Sequence, residues 1–382
     1  MMLLMIFDIS TAAAQVAEPI IQADAAILIE ASTGRVIYEK NADEVRPPAS
    51  MTKMMTCILG LEQLPRNTLI PMSDAVIYTE DNSFQWASGD VIQADELLLG
   101  MMMVSDNGAA VGVAQAVAGS VSQFAKLMNE KATEIGCTDT NFVNPNGLPN
   151  ANHYSTARDM AKIAMYGMKM SAFRDIVRAI KEPIHWSYPS NKIDVAETTN
   201  EMLGVYVGMN GIKTGWTNAA GGCFAGSAMR GDTELIAIIM HSPDTKIRFD
   251  DTAKLLDYGF SVVKMSKIVN KDRVEKVVFV RDGRQATVHV RPLEDLNFPL
   301  LEGEDTKKLK VSYELPKMAD APIRKGQTLG KVHLKYNGEI MMSVPLIAEE
   351  SVERGFSFTS KLVGLVAPVI TLAQNVLTAF FA

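Results

Sequence analysis

Near residue 262 the sequence changes texture, and that change limits the possible folds more than any other feature. Before it, apolar runs of helical length alternate with short strand-like runs. After it come short alternating segments, such as Val277-Val278-Phe279-Val280, Ala286-Thr287-Val288-His289-Val290 and Leu309-Lys310-Val311-Ser312-Tyr313, separated by turns such as Asp282-Gly283. Successive side chains of a strand point to opposite faces, so this pattern predicts half-buried strands in an all-β module ending near Ile347. A mixed module followed by a β module suits a chain of 382 residues. The net charge of −7 supplies no basic footprint for nucleic acid.

The mixed module reads in order. Ala25–Glu30 and Arg35–Glu39 flank Ala31-Ser32-Thr33-Gly34 as a hairpin. Pro47-Pro48 then stops the chain, and a Met- and Leu-rich run from Ser50 to about Leu64 predicts a buried helix. Val91–Met103 predicts a strand entering a helix, which ends at Val104-Ser105-Asp106-Asn107-Gly108. Helices are expected at 109–119 and 122–135, and a further one to about Met170, capped by Thr156 or Ser155. Residues 171–207 give no clear pattern. Gly208-Met209-Asn210-Gly211 reads as a link, Cys223–Met229 and Leu235–Met240 as a second hairpin, and Arg248–Tyr258 as a helix with Gly259 at C′.

The ends carry other signals. Residues 1–17 hold an apolar start and Ala12-Ala13-Ala14, a cleavage-like site, and read as a signal peptide or its remnant. Lys361–Ala382 is apolar with one charge. Gly364, Pro368, Thr371, Asn375, Thr378 and Ala382 fall on one helical face, which suits an amphipathic helix lying in a membrane interface. A spanning helix, or one packed on the protein, are the alternatives. Three dispersed cysteines and five histidines, without an H-E-x-x-H or C-x-x-C pattern, give no ground for a metal site.

The candidate chemistry starts at Ser50. Lys53 stands three residues on, so a helix would place both on one face. A serine hydroxyl needs a neighbour to take its proton, and a lysine of depressed pKa can do so. A helix N-terminus also offers N–H groups to an oxyanion. The pair alone is weak: Ser-x-x-Lys arises about once or twice by chance in such a chain, it recurs at Ser261 and Lys264, and Ser50 could simply cap the helix. Two further motifs change the balance, Ser105-Asp106-Asn107 and Lys213-Thr214-Gly215. Each arises by chance in roughly one chain in ten. All three together, in this order, are a documented signature of penicillin-binding proteins and class A β-lactamases.

With Asn144-Pro145-Asn146-Gly147-Leu148, His153-Tyr154-Ser155-Thr156-Ala157, Leu255–Phe260 and Ala321–Gln327, the chain resembles the D-alanyl-D-alanine carboxypeptidases, the low-molecular-mass penicillin-binding proteins, from about residue 24 to its end. The resemblance implies an α/β (α+β) catalytic domain at 18–261, in which an antiparallel sheet packs against helices. A β-rich domain at 262–348 and a linker with a membrane-anchoring helix at 349–382 would follow. It implies Ser50 as nucleophile and Lys53 as its base, with Lys213 lowering the pKa of Lys53 by like charge. Ser105 would relay a proton, and Asn107 would hold substrate or Lys53. Lys213 and Thr214 would take the terminal carboxylate, helped by Arg248, for which a surface ion pair is the alternative. Gly215 would admit the substrate backbone, and the Ser50 and Trp216 N–H groups would form an oxyanion hole. Asp159 reads as a first-turn helix charge, and His153 as a structural hydrogen-bonding residue rather than a base. The expected partners are peptidoglycan stem peptides, β-lactams as covalent inhibitors and a membrane surface, with no cofactor. A β-lactamase of the same fold and a penicillin-binding sensor without turnover stay open as alternatives.

Overall fold

The structure, a computed structural model, describes residues 16–304 and 306–355. Most of the N-terminal signal segment and the helix read at 361–382 lie outside these residues. The chain divides after Val263 into two compact units.

The first unit begins with the expected hairpin, β1 (Ala25–Glu30) and β2 (Val36–Lys40). A 3-10 turn at Ala49–Thr52 runs directly into α1 (Lys53–Gln63). Then follow β3 (Leu69–Pro71), α2 (Asp74–Ile77), β4 (Val91–Gln93), α3 (Ala94–Val104), α4 (Asn107–Ala118) and α5 (Val121–Ile135). α6 (Ala157–Met168) is capped by the Thr156 hydroxyl, which accepts from the Asp159 N–H at 3.1 Å. The stretch without a clear sequence pattern holds α7 (Ser171–Val177), β5 (Lys181–Tyr188) and β6 (Ile193–Glu197). β7 (Met209–Thr217), β8 (Gly221–Arg230), β9 (Thr233–Ser242) and α8 (Ile247–Val262) complete the unit.

The main sheet is antiparallel in the order β2-β1-β9-β8-β7, so the N-terminal hairpin joins the strands after residue 208. Both faces are covered. Ile27, Ile29, Ile236 and Ile238 share a core with Met54, Leu97 and Met160 from the helices, while Leu28 and Leu235 face α8. Strands covered on both faces read as continuous apolar runs, as β8 and β9 do. A smaller sheet, β3-β4-β5-β6, gathers short strands from distant parts of the chain.

Two glycines serve purposes other than the expected ones. Gly259 does not end a helix, because α8 runs through it to Val262. A Cβ there would lie 2.6 Å from Leu235 Cδ1 and 2.7 Å from Leu28 Cδ2, so the missing side chain lets α8 lie close on β1 and β9. The stretch Gly208–Gly211 is not a link from end to end: β7 starts at Met209, and its register against β8 shifts between Met209 and Gly211. A Cβ at Gly211 would meet Val177 Cγ2 at 2.8 Å. The glycine marks a bulge pressed against α7.

The second unit is all-β. β10 (Val263–Val269) pairs with β13 (Leu296–Leu301). β11 (Lys276–Arg281), β12 (Thr287–Pro292), β14 (Leu309–Glu314), β15 (Met318–Asp320), β16 (Thr328–Tyr336) and β17 (Glu339–Ala348) form a sheet in the order β14-β16-β17-β12-β11-β15. Alternate residues such as Val278, Val280, Val288 and Val290 fill its core.

Candidate active site

Ser50 sits in the 3-10 turn ahead of α1 and keeps partial exposure, whereas Lys53 is wholly buried. Ser50 is not the helix cap, since no side chain caps this turn or α1. Its hydroxyl stands 2.8 Å from Lys53 Nζ. Lys53 Nζ also donates to Asn107 Oδ1 at 2.7 Å and to the Asn146 carbonyl at 2.9 Å. The Asn107 Nδ2 group donates to the Glu80 carbonyl at 3.0 Å, which fixes the amide so that Oδ1 faces the lysine.

This triangle has a chemical consequence. A neutral amine carries two N–H donors and one lone pair. Asn107 Oδ1 and the Asn146 carbonyl can only accept, so they take both hydrogens, and the lone pair is left for the Ser50 hydroxyl proton. Burial pushes the Lys53 pKa from 10.5 down to about 7, with the Asp106 and Asp81 carboxylates opposing the fall. Lys213 is also buried, and its pKa lies well below the usual lysine value, first through burial and then through the Lys53 and Arg248 cations. Burial is thus the first cause of the Lys53 shift, while the repulsion between the Lys53 and Lys213 cations is mutual and belongs to the pair.

Loops and strand ends hold this arrangement. Asp106 caps α4 by accepting from the Ala109 N–H at 2.6 Å, and it takes the Phe84 N–H and Trp86 Nε1–H at 3.0 Å each. Asn107 thereby becomes the first residue of α4. Ser105, at φ +64°, ends α3 and lines the same cavity as Ser50. Its hydroxyl has no hydrogen-bond partner among the described residues. The 144–148 loop supplies the Asn146 carbonyl and is fastened by the Thr56 hydroxyl, which donates to the Pro145 carbonyl at 2.6 Å. Gly147, at φ +89°, passes so close to the nucleophile's turn that a Cβ would lie 1.9 Å from the Ala49 oxygen.

β7 forms another wall. A Cβ on Gly215 would lie 3.0 Å from the Ser50 nitrogen and 3.1 Å from Ala49 Cβ. The glycine thus admits the nucleophile's own turn, where the sequence reading assigned that room to a substrate backbone. Thr214, Trp216 and Arg248 line the cavity of ≈ 290 Å³, with Trp216 44% exposed. Lys213 lies behind it and donates to the Thr214 carbonyl at 3.0 Å. Arg248 is buried rather than a surface residue. Its Nη1 donates to the Gly215 carbonyl at 2.9 Å, and among the described residues it has no carboxylate partner and its Nε no hydrogen-bond partner. The surface ion-pair alternative fails on burial.

His153 bridges two segments. Its Nδ1 accepts from the Val143 N–H at 3.1 Å, which leaves Nε2–H to donate to the Thr52 hydroxyl at 2.8 Å; that hydroxyl donates onward to the Ala49 carbonyl. Burial holds its pKa at about 4, so the ring is neutral and its place is structural. Asp159 is in the first turn of α6, yet it is buried, accepting from the Asp139 N–H, the Thr140 hydroxyl and Lys162. Ser261 of the chance motif is exposed at the end of α8 and donates to the Tyr258 carbonyl, and Lys264 lies in β10. The Asn146 carbonyl and Asp106 were missed as site groups. Turn residues mark the first loop, but no sequence signal says where a backbone carbonyl will point.

A serine hydroxyl 2.8 Å from a buried lysine whose pKa is lowered to about 7 is the arrangement of a serine-type peptidase. The profile of the D-alanyl-D-alanine carboxypeptidase family matches residues 12–244, and that of the penicillin-binding protein 5 C-terminal domain matches 264–354. The chain is 33% identical over 351 residues to the D-alanyl-D-alanine carboxypeptidase DacF of Bacillus subtilis, covering 90% of each. Against DacC of Escherichia coli it is 31% identical over 356 residues, covering 89% of this chain and 86% of that one. Among solved structures it is similar to penicillin-binding protein 5 of Haemophilus influenzae, with TM-score 0.68 and 27% identity over 88% of this chain and 99% of that one. The chain belongs to the D-alanyl-D-alanine carboxypeptidase family of penicillin-binding proteins.

Proposed function

We propose that this protein removes the terminal D-alanine from peptidoglycan stem pentapeptides through an acyl-enzyme on Ser50. The observation that carries the reading is the triangle around Lys53, which in the neutral amine leaves the lone pair to the Ser50 hydroxyl. Lys53 takes the hydroxyl proton as Ser50 attacks the carbonyl between the two D-alanines. The Ser50 and Trp216 N–H groups hold the oxyanion. Thr214 and Arg248 receive the terminal carboxylate, and Lys213 behind them braces the Thr214 carbonyl. Ser105 passes the proton to the departing amine. Water then attacks the ester with Lys53 again as base. Incubated with a stem pentapeptide, the protein is expected to yield the tetrapeptide and free D-alanine in many turnovers, read by mass spectrometry. Release of one equivalent or less would point to the sensor alternative.

The same site is expected to acylate with penicillin and to release it slowly. A class A β-lactamase uses a glutamate to activate the deacylating water. No glutamate occurs between Glu134 and Glu182, and the 144–148 loop offers Lys53 a carbonyl instead.

Such a substrate lies outside the cytoplasm, and the apolar sequence of residues 361–382 is suited to hold the enzyme on the membrane surface. No helix of the described residues is long and apolar enough to cross a membrane. Truncation before Lys361 is expected to abolish co-sedimentation with liposomes and to leave turnover of soluble peptide intact. Equal lipid binding by both forms would rule out the tail as anchor.

A further inference from the structure

Asp81 is the acidic side chain on the wall of the Ser50 cavity, and beyond its pull on the Lys53 charge the chemistry proposed above gives it no task. It is exposed and has no hydrogen-bond or ion-pair partner among the described residues. Neighbouring acids differ: Asp90 is paired with Lys192 at 2.6 Å, and Asp106 is committed to Phe84, Trp86 and Ala109.

The position of Asp81 is held on both sides. The preceding Glu80 carbonyl accepts from Asn107, which itself holds Lys53. The following Asn82 donates to the Ile77 carbonyl at 3.3 Å and accepts from the Trp86 N–H at 3.2 Å. Asp81 itself has φ +54°, a left-handed conformation that aspartate tolerates. The carboxylate is thus presented by the side of the cleft tied to Asn107, whereas Arg248 is tied to Gly215 of β7.

That division of charge orders the substrate. Its terminal carboxylate is drawn to Arg248 and Thr214 and repelled by Asp81. With the scissile carbonyl at Ser50, the group left to meet Asp81 belongs to the acyl half. We infer that Asp81 selects substrates whose acyl half carries a primary ammonium, the side-chain amine of a diamino acid, over those in which that amine is acylated. This rests on the carboxypeptidase reading of the cleft. Acylation removes the charge, so such a substrate loses its partner.

The test compares two peptides, acyl-Lys-D-Ala-D-Ala with a free side-chain amine and the same peptide with that amine acetylated. The readout is the ratio of their kcat/KM values for wild type, Asp81→Asn and Asp81→Glu. At low salt the wild type is expected to favour the free amine about three- to fivefold, the range of a partly exposed ion pair, and less at high salt. The ratio should fall to about one in Asp81→Asn and recover in part in Asp81→Glu. If Asp81 acts only through Lys53, both peptides change by the same factor and the ratio stays, which would overturn the inference. Equal hydrolysis of both peptides by the wild type would overturn it too, while leaving the carboxypeptidase reading in place. Hydrolysis of neither would overturn that reading itself.

Discussion

Replacing Lys53 by methionine is expected to slow acylation of Ser50 by about a hundred- to ten-thousandfold, the usual contribution of a positioned general base. Methionine fills similar space but cannot accept a proton, and it leaves Asn107 Oδ1 and the Asn146 carbonyl without their donor. In the wild type, only the neutral amine can act as base. With the Lys53 pKa lowered from 10.5 to about 7, the acylation rate should rise with pH through about 7 and then level off. Stopped-flow acylation across pH 5–9 reads both effects. Stability has its own pH signature. Between about 7 and 10.5 the unfolded chain still holds a proton on Lys53 that the folded protein has released, so stability rises with pH over that window. Lys213, depressed in the same direction, adds to the rise. Lys53→Met should therefore reduce the rise without removing it, as chemical unfolding at several pH values would show. A pH-independent acylation rate would refute the assignment of Lys53 as base.

Gly147→Ala should be the most damaging change of a residue with no side chain of its own in the chemistry. Two costs combine. The backbone at φ +89° is one that L side chains rarely adopt, and the new Cβ would lie 1.9 Å from the Ala49 carbonyl oxygen and 2.9 Å from Thr52 Oγ1. The first contact is with backbone, so relief requires the 144–148 loop or the Ser50 turn to move. Either movement displaces the Asn146 carbonyl from Lys53. The expected loss of stability is on the order of 3 kcal/mol, with acylation falling at least as far as in Lys53→Met. Urea unfolding and penicillin labelling at low temperature, where the variant remains folded, separate the two effects. Wild-type labelling kinetics in a folded Gly147→Ala protein would mean that the loop carbonyl does not matter.

Much of this was legible in the sequence, for reasons particular residues make plain. The N-terminal hairpin, the Ser50 helix and the β8–β9 hairpin show because their apolar runs have strand or helix length and end at Gly or Pro. The small sheet was not legible. β3 and β4 are three residues each, and their partners β5 and β6 lie about a hundred residues further on. Glycines misled twice. At Gly259 and Gly211 the absent side chain answers to a neighbouring element, while sequence alone suggests a stop or a link. The site divides in the same way. Ser50, Lys53, Asn107 and Thr214 belong to motifs, and the fold gathers them at one cavity. The Asn146 carbonyl is a backbone atom, and the origin of the Lys53 shift depends on burial, which no motif records.

The central claim is that Ser50 is the nucleophile and that Lys53 and its neighbours clear a peptide acyl group but not a penicilloyl one. Intact-protein mass spectrometry over time after mixing with excess penicillin tests it most directly. The wild type should gain a single penicilloyl group on Ser50 that persists while D-Ala-D-Ala peptide is turned over repeatedly in a parallel sample. Ser50→Ala should gain none, and Ser261→Ala should label as the wild type does. An adduct on Ser50→Ala, or rapid return of unmodified wild type with hydrolysed drug in stoichiometric excess, would contradict the account.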